Sequence, residues 1–490
     1  MKRSYALAAL LGALAVLGFA PFALWPLPIL SLTGLIGLWA VHPTPRAAAL
    51  LGFYFGLGHF LAGVSWVYVS LHTFGMMPAP LAAIATLAFC LILALYPGVV
   101  GFLCARWDVK RPAVALVMVP CMWASCEWLR GWFLSGFPWL SMGYSQIDTP
   151  LAGFAPIVGV YGISLLMVLL AALLFLVVRG SARQRIAAVA IGIVVYGAGA
   201  LLMQTKWTTP AGAGLDVALL QGNVPQEMKF VPGRFESTLA LYGRLIEQTN
   251  ARLIVLPETA IPQFPEGIPA TFIDRVKAHA QSNQGDVLIG LPTGDRRTQY
   301  FNSIVSIGTA PSQVYSKQHL VPFGEYIPPG FGWIEKILAI PLSDFTPGPA
   351  TQTPLAVAGE QVAINICYED AFGGEIIRQL PAATLLVNVS NVAWFGDSLA
   401  PLQHLQIARM RALEAGRYML RATNSGVTAI IDERGRLVQA LPAFTEGVLV
   451  GLVQGFQGAT PYARLGDWIV LVALALALIV IAWRPRARNR

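Results

Sequence analysis

The stretch Val362-Ala363-Ile364-Asn365-Ile366-Cys367-Tyr368-Glu369-Asp370 passes directly from an apolar run into a cysteine and two acidic residues. Residues 362–366 have the length and β-branched content of a buried strand. A helical pattern follows over 372–380, so Cys367 falls at a strand-to-helix junction. Such a junction holds a side chain rigidly, and the first amides of a helix favour a thiolate. Two other segments have the same form. A strand over 253–256 runs into Pro257 and Glu258, and a strand over 313–315 leads to Lys317 and a loop containing Glu325.

A cysteine nucleophile needs a base to take its proton and a cation or N–H donors to hold an oxyanion. Glu258 fits the base, with a pKa expected to be raised by burial, and Lys317 fits the cation. Each feature alone also has an ordinary reading: an inert core thiol, a solvated turn carboxylate, a surface lysine. Their shared strand-end context sets them apart.

Around these segments, strands are expected at 216–221, 286–290, 301–307, 384–389, 426–431, 436–439 and 448–453, with a hairpin turn at 433–435. Helices are expected at 234–248, 271–281 and 401–418. Interleaved strands and helices predict sheets with helices packed on their outer faces. Residues 215–455 therefore read as one globular domain, entered through a Gly/Ala-rich linker at 210–214. This stretch holds 17 Lys+Arg against 21 Asp+Glu.

The rest of the chain is of another kind. Of 490 residues, 56% are hydrophobic and 12% charged, with a net charge of +8. That is about half the charge of a soluble protein, which excludes an ordinary cytosolic enzyme and a disordered chain. It also argues against a nucleic-acid surface. Apolar segments suited to crossing a bilayer occur at 5–23, 26–41, 47–69, 80–104, 112–129, 158–178, 186–203 and 468–483. The first reads as an uncleaved span, because its apolar run is long and leads straight into another. Residues 1–209 would form a seven-span bundle, and 466–490 an eighth span with a basic tail. One set of short loops and tails carries 13 basic residues (Lys2, Arg3, Arg46, Arg106, Lys110, Arg111, Arg179, Arg183, Arg185, Arg484, Arg486, Arg488 and Arg490), and the other only Arg130. By the positive-inside rule both termini are cytoplasmic and the globular domain lies outside. Cys90, Cys104, Cys121 and Cys126 fall in or beside spans, leaving Cys367 alone in the domain.

Three blocks carry a family resemblance: Leu256-Pro257-Glu258-Thr259-Ala260, Ser316-Lys317-Gln318-His319-Leu320-Val321-Pro322-Phe323-Gly324-Glu325-Tyr326, and Ile366-Cys367-Tyr368-Glu369. They closely resemble the Glu, Lys and Cys blocks of the nitrilase superfamily. With the eight spans, Ser135-Gly136-Phe137-Pro138-Trp139-Leu140, and the run from Gln406 to Glu414, the chain resembles the bacterial apolipoprotein N-acyltransferases over essentially its full length. The resemblance implies an eight-span membrane bundle carrying an extracytoplasmic αββα sandwich, in the inner membrane with its catalytic domain periplasmic. It implies that Cys367 takes an acyl chain from a phospholipid, usually phosphatidylethanolamine, as a thioester. The chain then passes to the N-terminal amine of a diacylated apolipoprotein. Glu258 would be the base and Lys317 the oxyanion cation, with Glu325, Tyr368 and Glu369 in support and no cofactor. Phe230 stands where some members of the family have Trp.

Aromatic residues suggest where lipid would be met. The stretch 326–347 mixes Ile327, Phe331, Trp333, Ile334, Ile337 and Phe345 with Pro and Gly, which suits an apolar loop at a bilayer surface or one packed on the domain. Phe230, Trp139, Trp333 and Trp394 are the expected lipid contacts. His319 and His404 lack metal-ligand spacing, so no metal is expected, and His404 reads as structural. A membrane-tethered amidase would use the same Glu, Lys and Cys, but a soluble amide needs neither spans nor apolar loops. A transporter would leave the three residues unexplained.

Overall fold

The computed structural model describes residues 1–229, 231–328, 330, 332 and 344–483. The chain forms two compact units. One comprises Met1–Val67, Ala83–Lys206 and the chain from Leu465 onward; the other comprises Tyr68–Ala82 and Trp207–Arg464.

The first unit is helical. Among the described residues four helices are long and apolar enough to cross a membrane: Pro45–Val64, Ala79–Ala105, Pro150–Arg179 and Ala182–Leu202. Shorter apolar helices run over Pro26–Val41 and Trp468–Ile479. The expected first span stops early. Its α-helix ends at Ala15 and gives way to a 3₁₀ turn, Val16–Gly18, ahead of Pro21. The expected fifth span is divided into a π turn, Val114–Met118, and an α-helix, Val119–Arg130. Pro120, which has no N–H to donate, lies just past the junction of the two. Helices Lys2–Ala15 and Pro45–Val64 approach closely at glycines: a Cβ on Gly12 would overlap the Phe55 carbonyl, and one on Gly58 the Ala9 carbonyl.

Twelve strands among the described residues build the second unit. They are β1 (Thr209–Gln221), β2 (Leu253–Val255), β3 (Asp286–Asp295), β4 (Gln299–Gly308), β5 (Val314–Ser316), β6 (Leu355–Val357), β7 (Glu360–Ile366), β8 (Leu385–Ser390), β9 (Met419–Thr423), β10 (Ala429–Ile431), β11 (Leu437–Ala440) and β12 (Gly447–Gln457). One sheet has the order β12-β1-β2-β3-β4-β5, the other β11-β10-β9-β8-β7-β6. Their inner faces share one apolar core, in which Val217, Val255 and Leu288 meet Ile364, Val387 and Leu420. Helices Phe235–Glu247 and Ala270–Ser282 cover the outer face of the first sheet through Leu239, Tyr242, Phe272 and Val276. Helix Ala400–Ala415 covers the second through Leu405, Ala408 and Ala412, and ends on Gly416 at a left-handed φ of 62°. The layers are therefore helix, sheet, sheet, helix.

Three local expectations change. The Gly/Ala-rich stretch 210–214 is the start of β1 rather than a linker: Thr209 to Ala211 pair with Gln457 to Gly455, with a bulge before Leu215. Backbone pairing needs no side chains, so composition misreads it. Strand β9 escapes the sequence pattern because Arg421, only 1% exposed, interrupts it. The helix expected over 372–380 is a single α turn, Gly373–Ile376, followed by a 3₁₀ turn, Ile377–Gln379. Gly373 and Gly374 are poor helix formers.

Strand direction places the candidate residues. Strands β1, β2 and β3 are parallel, while β4 is antiparallel to both β3 and β5. Strand β5 therefore runs with β2, and Glu258 and Lys317 leave the same edge of their sheet. Strands β7, β8 and β9 are parallel, so Cys367 and Asn391 leave one edge of the other sheet. Crevices beyond the carboxyl ends of parallel strands are the usual ligand sites of α/β folds.

Candidate active site

Cys367 follows β7 directly and adopts a left-handed φ of 52°, a conformation that costs a non-glycine residue about 1–2 kcal/mol. A buried polar network holds it there. Asn388 Nδ2 donates to the Cys367 carbonyl at 3.2 Å and to Asn365 Oδ1 at 2.6 Å. Asn388 Oδ1 accepts from Arg421 at 2.6 Å and from Ser390 Oγ at 2.7 Å. His404 Nε2 lies 3.2 Å from the same Cys367 carbonyl and 2.7 Å from Asp370 Oδ1, so it is the donor to both. Arg421 completes the network on Asp370 Oδ2 at 3.1 Å. Burial, then the Arg421 charge, lowers the His404 pKa, which keeps its ring neutral. Burial and the nearby Glu258 carboxylate push the Cys367 thiol well above its ordinary value, against the pull of Lys317. The resting sulfur is therefore protonated. One α turn supplies little dipole to favour a thiolate.

Glu258, three residues past β2, is 6% exposed. Its Oε1 lies 3.3 Å from Lys317 Nζ and accepts from Asn302 Nδ2 at 2.8 Å. Its Oε2 accepts the Asn391 N–H at 2.8 Å. Burial alone would raise its pKa, as the sequence suggests, but Lys317, Lys229 and these donors bring it below the ordinary carboxylate value. The expected raised pKa is thus corrected: the burial is real, and two ammonium groups together with two hydrogen-bond donors outweigh it. Lys317 Nζ is also 2.8 Å from the Glu325 carboxylate. At 1% exposure it remains charged, because Glu258 and Glu325 raise its pKa against the burial that lowers it. Glu325 is steadied by Asn302 Nδ2 at 3.0 Å and by the Val321 N–H at 2.8 Å. Glu258, Lys317, Glu325 and Cys367 thus share one buried field, and Lys317 bridges the two carboxylates.

Glu369 clamps two of the segments together. Its Oε2 accepts the Ile366 N–H at 2.6 Å and Tyr315 Oη at 3.0 Å; its Oε1 accepts the Gln318 and His319 N–H groups at 2.7 and 3.1 Å. It therefore ties the strand end before Cys367 to the loop after Lys317. Burial raises its pKa to about 7, with these N–H donors and Lys317 opposing. Tyr368 packs edge-on to Phe372 and His319, with ring centroids 5.0 and 5.8 Å apart.

The expected lipid contacts are placed unevenly. Trp394 is half-buried on the 3₁₀ turn Val392–Phe395; its carbonyl accepts from Ser70 Oγ at 2.8 Å, and its ring is edge-on to Phe74. Trp139 belongs to the helical unit, where it is 1% exposed against Trp66 and Phe137. There the buried Arg130 donates to the Trp139 carbonyl at 2.7 Å. Phe230 and Trp333 lie outside the described residues, as does much of the apolar loop. Phe345, at the end of that loop, packs on Tyr300 and Leu320.

Two residues at the site were not anticipated. Asn302 on β4 donates to both carboxylates; a polar amide in an apolar strand was its only signal. Lys229 donates to the Glu258 carbonyl at 3.1 Å and is 5% exposed. Nothing local distinguishes it from a surface lysine. Among the described residues no cluster of His, Cys, Asp or Glu can hold a metal ion. What the arrangement can do is set a protonated thiol in the field of an ionised carboxylate and a fixed ammonium.

Comparison with known proteins places both units in a family. Residues 11–173 match the apolipoprotein N-acyltransferase N-terminal domain, and residues 216–462 match the carbon-nitrogen hydrolase family. An apolipoprotein N-acyltransferase of Nitrosomonas europaea is 51% identical over 96% of this chain and 95% of its own length. One from Chromobacterium violaceum is 44% identical over 98% and 94%, and one from Methylococcus capsulatus 44% over 98% and 95%. With such identity running through both units, the chain belongs to the apolipoprotein N-acyltransferase family, its α/β unit being a carbon-nitrogen hydrolase domain.

Proposed function

We propose that this protein transfers an acyl chain from a phospholipid, through a thioester on Cys367, to the N-terminal amine of diacylglyceryl-cysteine on apolipoproteins. The observation that carries this reading is Lys317 bridging Glu258 and Glu325 within the field of Cys367. In the first half-reaction Glu258 takes the thiol proton and the sulfur attacks the ester carbonyl. Lys317 stabilises the oxyanion, and the protonated Glu258 returns its proton to the departing glycerol oxygen. In the second, the lipoprotein amine attacks the thioester, Glu258 takes the amine proton, and the thiol is regenerated. Glu325 holds Lys317, while Glu369 and Tyr368 shape the loop around Cys367. Phe230, Trp333 and Trp394 contact lipid, whereas Trp139, 1% exposed against Trp66 and Phe137, supports the helical unit from within.

The donor is phosphatidylethanolamine, drawn from the bilayer in which the protein is embedded. The 13-to-1 distribution of basic residues supports eight spans in the bacterial inner membrane, with cytoplasmic termini and a periplasmic catalytic domain. The segments 1–209, 215–455 and 466–490 would then be bundle, catalytic domain and final span.

The test supplies purified protein with phospholipid labelled in one acyl chain. A hydroxylamine-labile adduct should form on Cys367 and be absent from Cys367→Ala; an adduct that persists in that variant rejects the nucleophile. Adding a diacylated lipopeptide should increase its mass by one acyl group. Release of free fatty acid alone would assign a hydrolase instead.

A further inference from the structure

Lysine is almost never buried without a partner, yet Lys229 is 5% exposed, just beyond the 3₁₀ turn Gln226–Met228. The Glu258 carbonyl occupies one of its three N–H groups, at 3.1 Å, and its charge is felt by both the Glu258 carboxylate and the Cys367 sulfur. The charge balance shows why a second cation is needed. Glu258 and Glu325 bring two negative charges to the site and Lys317 one positive. Asp370 is matched separately by Arg421. With a neutral thiol, Lys229 brings the four-residue cluster to zero. When the S–H bond breaks and an O–H bond forms on Glu258, the negative charge moves from carboxylate to sulfur, two groups whose charges both act on Lys229.

We propose that Lys229 is a positioning residue of the reaction centre, the second positive charge that lets the Cys367 proton pass to Glu258 and holds the resulting thiolate. This rests on the acyl-transfer reading above and adds a participant to it. Burial lowers the Lys229 ammonium to about 8, with Glu258 and Cys367 opposing a further fall. The charge is present below that pH and lost above it. The groups facing it are Glu258 and Cys367, with Lys317 and Glu325 across the Glu258 carboxylate. Cys367 and Lys317 both titrate well above their ordinary values. The lysine is thus the group that should end activity on the alkaline side.

The experiment follows single-turnover acylation of Cys367 by phosphatidylethanolamine in detergent micelles, from about pH 6 to about pH 10, without acceptor peptide. The wild type should lose rate with an alkaline midpoint near 8. Lys229→Arg keeps the charge at all these pH values, so its rate should stay within about tenfold and its alkaline limb should move up by about two pH units or more. Lys229→Met should lower the rate about a hundredfold at neutral pH and flatten the alkaline limb. Wild-type rates in Lys229→Met, or an unmoved limb in Lys229→Arg, would overturn the proposal. Should Lys229→Met fail to fold, the Lys229→Arg profile decides alone. A wild type that forms no thioester would instead reject the acyl-transfer reading, before any variant is compared.

Discussion

The main-chain N–H of Asn391 donates to Glu258 Oε2 over 2.8 Å. Asn391 follows β8 in one sheet and Glu258 follows β2 in the other, so this bond fixes the proposed base of one sheet from the strand end of its neighbour. Asn391 in turn donates its Nδ2 to Gln226 at 2.7 Å and accepts from Asn424 at 3.2 Å. The carboxylate is therefore oriented by a framework rather than by its ion pair alone.

Glu258→Gln keeps an oxygen for Asn391 but removes the charge beside Lys317 and, with it, the proposed proton acceptor for Cys367. Thioester formation should fall by at least about a hundredfold, while the far-ultraviolet circular dichroism and the unfolding midpoint stay close to wild type. An adduct formed at the normal rate would refute the base assignment.

Asn302→Leu removes the donor shared by Glu258 and Glu325. The buried Glu258 and the partly buried Glu325 carboxylates each lose a hydrogen bond, so a stability loss of about 1–3 kcal/mol is expected, together with slower acylation. Asn302→Asp should be worse, because it adds a third negative charge beside the Glu258 and Glu325 carboxylates. Denaturant unfolding and single-turnover acylation, measured on both variants, check the order.

Gly290→Ala tests the packing beneath Glu258. A Cβ there would overlap the Pro257 carbonyl and crowd the Thr259 amide and Glu258 Cα. The loop must shift, at about 1–3 kcal/mol, and the Glu258 carboxylate moves with it. Acylation should drop by more than the stability loss explains; a variant with an unchanged rate would show that the loop position is not critical.

The acid side of the acylation profile should report Glu369. Its pKa is raised to about 7, so the carboxylate that accepts four donors is present above that pH and becomes protonated below it. Once protonated it holds the Ile366, Gln318 and His319 amides less well, and Cys367 and Lys317 lose their common clamp. Rates measured without acceptor peptide should therefore fall below about pH 7. Glu369→Gln should be slow throughout, without that limb.

Much of this molecule was legible in its order of residues. Apolar runs marked the helical region, alternation marked ten of the strands, and three strand-end blocks carried Glu258, Lys317 and Cys367 together with a family resemblance. Those signals are local: each depends on residues within a few positions of one another, so a linear reading captures them. Tertiary structure decided the remainder. It brought four carboxyl strand ends to one site, made Glu258 a stronger acid than its burial suggested, and recruited Asn302 and Lys229. It also turned a Gly/Ala stretch into β1 and reduced an expected helix to one turn. Electrostatic coupling and backbone pairing depend on distance in space, and nothing in the spacing of Lys229 and Cys367 along the chain records that they share one field.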